Sequence, residues 1–202
     1  MAQSIQLKIK SSILDRDRLL TIHPDYIEFD DKDLLTAIPT RFNKSEIVGW
    51  RHGVKGIKGY HFNIGRVYCI DIKNSSDEII KLRLKSIYRV RKKLLYKKYL
   101  TIGNLLWGNY FDDIGREYIN KFANKIEFTL LGTTINQEGI RFPKDTEIIS
   151  WFDLSTKSYW HYYSLFSISN PDKYKPYYFL DDWNASVLLS VIKYILKEMK
   201  LR

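Results

Sequence analysis

An α+β protein of mainly antiparallel strands with C-terminal capping helices is what this sequence predicts. Three observations lead there. Short apolar segments alternate with polar residues through the first 84 positions, the period-two pattern of half-buried strands. Helix-forming text without proline occupies residues 86–107 and 113–124, and an apolar stripe at helical spacing marks 183–199. Signals in the first half also recur in the second, and a repeat exposes architecture before any single residue does. The 202 residues are 45% hydrophobic, enough to bury a core and too many for a disordered tail. Gly (10) and Pro (5) are too scarce for linker-like or collagen-like sequence. A single cysteine, Cys69, excludes an internal disulfide and a cysteine-based zinc site.

Taken in order, Ile5, Leu7 and Ile9 alternate with polar residues as a strand. Leu20 and Ile22, then Tyr26 to Phe29, continue the pattern, and Asp30-Asp31-Lys32-Asp33 reads as a polar turn. Leu34 to Phe42 and Glu46 to Arg51 are the next strands. Gly53 to Gly59 holds three glycines and two lysines and reads as a mobile loop. Tyr60 to Ile64 and Val67 to Ile72 follow as a hairpin, Asn74 to Asp77 as a turn, and Glu78 to Leu84 as a strand. Residues 113–124 read as a helix opened by Asp112 or Asp113, whose carboxylates accept from free N–H groups of the first turn. Ile126 to Leu131, the aromatic run 159–166 and Pro176 to Leu180 are further strands, with Asn170-Pro171-Asp172 a turn. If 159–166 is one strand, Tyr159 and His161 share one face and Trp160 and Tyr162 the other. The last helix carries Val187, Leu188, Val191, Ile192, Ile195 and Leu196 on one stripe, capped by Asp181 or Asp182.

The repeat rests on three matches. Glu46-Ile47-Val48-Gly49-Trp50 parallels Glu147-Ile148-Ile149-Ser150-Trp151. Ile27-Glu28-Phe29 parallels Ile140-Arg141-Phe142, although pairing Arg41-Phe42 with Arg141-Phe142 is a second register. Tyr110-Phe111-Asp112-Asp113 parallels Tyr178-Phe179-Leu180-Asp181-Asp182, and a helix follows each. The stretch Asn136 to Phe142, followed by Glu147 to Leu154, resembles the "residue-Gly-Ile … I-x-W-x-D-L" opening of bacterial pleckstrin-homology-like domains. The first half is similar but lacks the Gly, and Arg51-His52 stands in place of Asp-Leu. This resemblance implies two tandem β-barrel or sandwich units of seven strands and a capping helix. Residues 1–124 would form the first, with a basic helical insertion at about 86–107, and 125–202 a second, shorter one. It also implies a binding scaffold and transfers no binding residue, because fold does not fix function.

Charge supplies the functional signal. The chain carries +10 overall, and residues 51–100 alone hold 14 basic against 3 acidic side chains. So concentrated a positive field attracts phosphate, anionic lipid or an acidic partner. Lys81 to Lys98 contains Lys81, Arg83, Lys85, Arg89, Arg91 and Lys92, then Lys93, Lys97 and Lys98, with no acid. Ile87, Val90, Leu94 and Leu95 fall on one helical side there, but Arg91 and Lys98 intrude on it, so the amphipathicity is imperfect. The plainer alternative is a solvated helix whose lysine stems pack on the sheet. In the loop 51–59, glycines would let backbone N–H groups approach an anion beside Lys55 and Lys58; a flexible hairpin connection explains it as well. The aromatic run 159–166 would stack bases or sugars, or simply pack.

No catalytic signature is present. His23, His52, His61 and His161 lack metal-ligand spacing, and the paired aspartates are explained by capping. Neither a G-x-S-x-G, a phosphate loop nor a dinucleotide fingerprint occurs. No metal and no cofactor is implied. The expected function is therefore a non-enzymatic adaptor that docks a basic surface on an anionic membrane surface or an acidic protein. The expected anion- or partner-binding residues are Lys55, Lys58, Arg89, Arg91, Lys92 and Lys93, together with Lys97 and Lys98. Nucleic-acid binding through 81–98 and a homodimeric interaction module using the aromatic surface are the alternatives. With no apolar leader stretch at the N-terminus and no run of 18 apolar residues, the expected location is the cytoplasm, peripherally on the inner face of the membrane.

Overall fold

The computed structural model describes residues 4–11, 15–33 and 38–199. The chain divides between Phe111 and Asp112 into two compact units, whereas the sequence pointed to about residue 124. It is α+β, with antiparallel strands in four sheets.

In the N-terminal unit, β1 (Ile5–Ile9), β2 (Arg18–His23), β3 (Tyr26–Phe29) and β4 (Thr40–Asn43) form one meander. Residues 34–37 of the expected strand Leu34 to Phe42 lie outside the described residues. Asn43 and Glu46 then form a capping box around a short 3₁₀ turn, the Asn43 N–H donating to the Glu46 carboxylate at 2.8 Å. This turn starts a second meander, β5 (Ile47–Lys58), β6 (Asn63–Asn74) and β7 (Ile79–Ile87). The expected loop 53–59 is therefore mostly strand: Gly53 pairs with Cys69 and Gly56 with Arg66. Glycine's low strand propensity is overridden by a long partner strand that takes up its hydrogen bonds. The expected hairpin arms Tyr60–Ile64 and Val67–Ile72 are corrected too, since β6 is one strand and the reversal lies before it.

Helix α1 (Lys92–Leu106) and a π-helical turn, Trp107–Phe111, follow β7. The expected helical segment 86–107 is helix from Lys92 onward, preceded by the end of β7 and a turn, and α1 packs on β6 and β7. Leu95, Tyr99, Ile102 and Leu106 are the buried residues of α1. Of the four apolar residues that the sequence placed on one helical side, only Leu95 is buried. Trp50 stacks on Phe111 at 4.8 Å, and the Tyr110 hydroxyl lies 2.6 and 2.7 Å from the carbonyl oxygens of His23 and Tyr26.

The C-terminal unit opens with α2 (Asp112–Ala123). Asp112 and Asp113 lie in its first turn, directly after the π-helical turn, so they do not start a helix from a loop. A four-stranded meander follows: β8 (Phe128–Leu130), β9 (Thr133–Ile135), β10 (Gly139–Arg141) and β11 (Ile149–Ser150). A three-stranded one comes next: β12 (Leu154–Ser158), β13 (Tyr162–Ser167) and β14 (Tyr174–Tyr178). The unit ends in α3 (Ala185–Glu198), which buries all six aliphatic residues of the expected stripe. Each contributes roughly 1.5–3 kcal/mol before entropy is subtracted. Its N-cap is Asn184, not Asp181 or Asp182; the Asp182 carboxylate accepts the Tyr178 N–H at 2.7 Å instead. Among the described residues both units hold seven strands, although the sequence reads the second as the shorter. Its strands of two or three residues leave too little alternation to detect.

Registers align the two four-stranded sheets. Ile22 faces Ile5 and Ile27, and Ile27 faces Phe42. Correspondingly, Ile135 faces Phe128 and Ile140, and Ile140 faces Ile149. The tryptophans break this correspondence. Trp50 lies within β5 opposite Ile72, whereas Trp151 follows β11 and meets Phe122 at 5.5 Å. The E-I-x-x-W match is therefore not structural. Tyr110 and Tyr178 do not correspond either, one lying in a helical turn and the other ending a strand. What is shared is subtler: Trp151 Nε1 donates to the Asn136 carbonyl at 3.1 Å, and Asn136 occupies the place of His23, which Tyr110 serves.

Of the two expected forms, barrel or sandwich, a closed barrel does not occur among the described residues. Each sheet is an open meander in sequence order among the described residues. In the C-terminal unit a buried hydrogen bond between the Thr133 and Tyr177 hydroxyls links the two sheets.

Candidate anionic-surface docking site

Alternation along β5, β6 and β7 sorts the basic residues. Tyr68, Ile70, Ile72, Ile80, Leu82 and Leu84 are buried on the face that packs against α1, where the Tyr68 and Tyr99 rings lie 5.5 Å apart. Arg51, Lys55, Lys81, Arg83 and Lys85 alternate with that set and lie on the opposite face with Asp71 and Cys69. Asp71 is only 1% exposed and is held by Arg51 Nε at 3.0 Å and Arg83 Nη1 at 2.5 Å. One buried carboxylate therefore occupies two of the arginines. Cys69 is buried beside them; desolvation pushes its thiol above the usual range, which suppresses thiolate chemistry.

The remaining cations gather at one end. β5 and β6 are joined by residues 59–62, and β7 leads into α1 through 88–91. Pairing of Ile57 with Gly65 and of Gly65 with Ile87 sets these two connections at the same end of the sheet. A hydrogen bond from Tyr88 N–H to the Ile64 carbonyl (2.8 Å) joins them. The close approach requires glycine at 65, since a Cβ there would meet the Ser86 carbonyl oxygen at 2.3 Å. In the second connection Tyr88, Arg89 and Arg91 all adopt left-handed backbone, with φ of 50°, 63° and 57°. Each such residue costs on the order of 1 kcal/mol or more. Ser86 Oγ donates to the Val90 carbonyl at 3.0 Å and pins the turn.

This tip carries Lys58, Arg66, Arg89, Arg91, Lys92 and Lys93, with Lys55 and Lys85 on the strands leading to it. None of these eight has an ion-pair partner among the described residues. The tip segments contain no acid. Asp77 and Glu78 occupy the β6–β7 turn at the other end of the sheet, about 25 Å away at the rise of a strand. That exceeds the screening length at physiological salt, so they do not offset the tip. Apolar side chains stand among the cations: Tyr60 is 95% exposed, Phe62 66%, Tyr88 71% and Val90 47%.

Of the sequence-derived residues, the structure brings together Lys55, Lys58, Arg89, Arg91, Lys92 and Lys93. Lys97 lies a turn further along α1, and Lys98 is engaged with the Lys8 carbonyl. The segment 81–98 is not one surface: Lys81 lies on the sheet face opposite α1, while Lys97 is carried by α1 itself. Arg66, Tyr60, Phe62 and Tyr88 were missed, because only strand register brings their connections together.

The expected loop 51–59 is extended strand through Lys58 and not a glycine turn curled around an anion. His52 is half-buried against Trp50 and shares a 2.9 Å hydrogen bond with the Tyr99 hydroxyl; desolvation of its ring lowers its pKa to about 4. Its ring is therefore neutral at pH 7. Among the described residues, no three His, Cys, Asp or Glu side chains come together to hold a metal ion. No helix of the described residues is long and apolar enough to cross a membrane. Comparison of the chain with family models, curated proteins and solved structures finds no match.

Proposed function

We propose that this chain is a non-catalytic docking protein of two pleckstrin-homology-like units that binds anionic membrane surfaces through the tip of its N-terminal unit. The single observation behind this reading is the tip itself, where exposed aromatic and aliphatic side chains stand among eight cations outside every ion pair of the described residues, on segments that contain no acid. Lys and Arg near an anionic bilayer contribute about 1 kcal/mol each. Tyr and Phe favour the headgroup level, where a ring is half wet and half apolar. Nucleic-acid phosphate would use the cations but has no use for Val90, which favours lipid. Support for the fold assignment is the shared plan of a four-stranded meander, a three-stranded meander and a helix packed on them. Such a protein would work peripherally on the inner face of the cytoplasmic membrane.

Co-sedimentation with vesicles tests this. Phosphatidylcholine vesicles containing 30% phosphatidylglycerol should pellet the protein in 50 mM salt, and pure phosphatidylcholine should not. Equal pelleting with both compositions, or with neither, refutes the lipid reading. Binding to a mixed RNA or DNA pool without vesicle binding would transfer the site to nucleic acid.

A further inference from the structure

The outward face of β12–β13–β14 carries a second, chemically different site. The chain reverses at Trp160 and His161, not along one strand, and the Tyr159 N–H donates to the Tyr162 carbonyl at 2.8 Å. Tyr159 and Tyr162 consequently share a face, contrary to the alternation read from the sequence, and stack at 4.6 Å with ring planes 18° apart. Tyr178, opposite Tyr162 in the ladder, extends this row at 5.3 Å. Four residues along the strands, roughly 13 Å away, Phe166 and Tyr174 form a second aromatic row. Between the rows lie Lys157, Ser164 and Pro176, which are paired across the sheet. The result is a groove of about 310 Å³ crossing the strands, with Pro171 also in its lining.

We propose that this groove binds a proline-rich segment in polyproline II conformation, with an acidic residue at one end. Four considerations select this occupant. The groove crosses the sheet face, so an added β-strand, which needs a sheet edge, is not what it fits. Its lining side chains supply hydroxyl donors from Tyr159, Tyr162, Tyr174, Tyr178 and Ser164 and an ammonium from Lys157, and it contains no carboxylate. A polyproline segment is the complement, because it presents carbonyl acceptors and no backbone N–H. Aromatic rows flanking Ser164 and Pro176 suit pyrrolidine rings, and a preformed polyproline helix loses little entropy on binding. Lys157 is the one charged side chain of the lining; its Nζ lies 5.5 Å over the Tyr159 ring and has no ion-pair partner among the described residues. One cation matches one carboxylate, whereas a nucleic-acid strand would call for a cationic track.

The test is a titration of the full chain with two peptides, Ac-Glu-(Pro)₈-NH₂ and Ac-Lys-(Pro)₈-NH₂, followed by intrinsic fluorescence and calorimetry. Oligo-dT and maltohexaose serve as competing ligand classes. The glutamate peptide should bind, and the lysine peptide should bind about tenfold more weakly. Tyr162→Ala and Tyr178→Ala, both on the outward face, should each weaken binding about tenfold or more. Lys157→Glu should invert the preference between the two peptides, a change that misfolding cannot produce. Equal affinity of the two peptides, an uninverted preference in Lys157→Glu, or binding of oligo-dT or maltohexaose in place of the peptide each overturns the proposal. The groove lies in the other unit from the docking tip, so vesicle binding and peptide binding stand or fall separately.

Discussion

Replacing Arg89, Arg91, Lys92 and Lys93 together by glutamine removes half of the unpaired cations at the tip while leaving its apolar side chains in place. All four follow β7 and lie outside every ion pair among the described residues, so their loss breaks no internal contact of that kind. At about 1 kcal/mol per cation near an anionic bilayer, the change weakens partitioning by about 4 kcal/mol, or roughly a thousandfold. The effect must vanish with salt, because the attraction is screened within about 10 Å at 0.1 M and 3 Å at 1 M. Binding to 30% phosphatidylglycerol vesicles at 50 mM and 500 mM NaCl measures both. The control is Lys73→Gln: Lys73 pairs with Asp77 at 3.0 Å towards the opposite end of the sheet and should leave affinity within about twofold. If the quadruple variant binds within threefold of the wild type at low salt, or if Lys73→Gln is equally damaging, the tip is not the docking surface.

Two further outcomes concern the scaffold. His52 has a folded-state pKa of about 4, against an ordinary value of 6.5. The unfolded chain therefore binds the extra proton between those values, so His52 stabilises fully above pH 6.5 and progressively less as pH falls towards 4. The loss amounts to at most about 3 kcal/mol, and denaturant melts of wild type and His52→Phe at pH 7.5 and 4.5 should differ in their pH slopes accordingly; parallel slopes contradict the assignment. Tyr110→Phe removes the hydroxyl serving the β2–β3 turn and should destabilise the N-terminal unit by about 1 kcal/mol in the same assay, since a part-buried carbonyl loses its donor; an unchanged midpoint would contradict it.

What the sequence made legible was set by where the decisive interactions lie. The stripe of α3 could be read because burial of Val187 to Leu196 follows one helix's own period. The Ile27 and Ile140 match could be read because both residues occupy the third strand of a meander, facing apolar partners on either side. Glu46 to Trp50 and Glu147 to Trp151 misled for the same reason in reverse: five matching letters carry no register, and the structure sends one tryptophan into a strand and the other into a turn. Glycines 53 and 56 looked like a loop because propensity is local, while β6 holds them from a distance. The docking tip and the aromatic groove were least visible. Each depends on which residues a ladder sets opposite one another, such as Gly65 with Ile87 or Tyr162 with Tyr178.

The most direct measurement places an environment-sensitive probe at the tip. Cys69 is buried, so a thiol introduced by Phe62→Cys can be labelled selectively with a nitrobenzoxadiazole dye, and Asp77→Cys supplies the same dye at the other end of the sheet. On adding anionic vesicles, emission at position 62 should rise and shift to the blue while position 77 stays unchanged. A bound protein whose dye at position 62 remains in water, or whose two positions respond alike, contradicts docking through this tip.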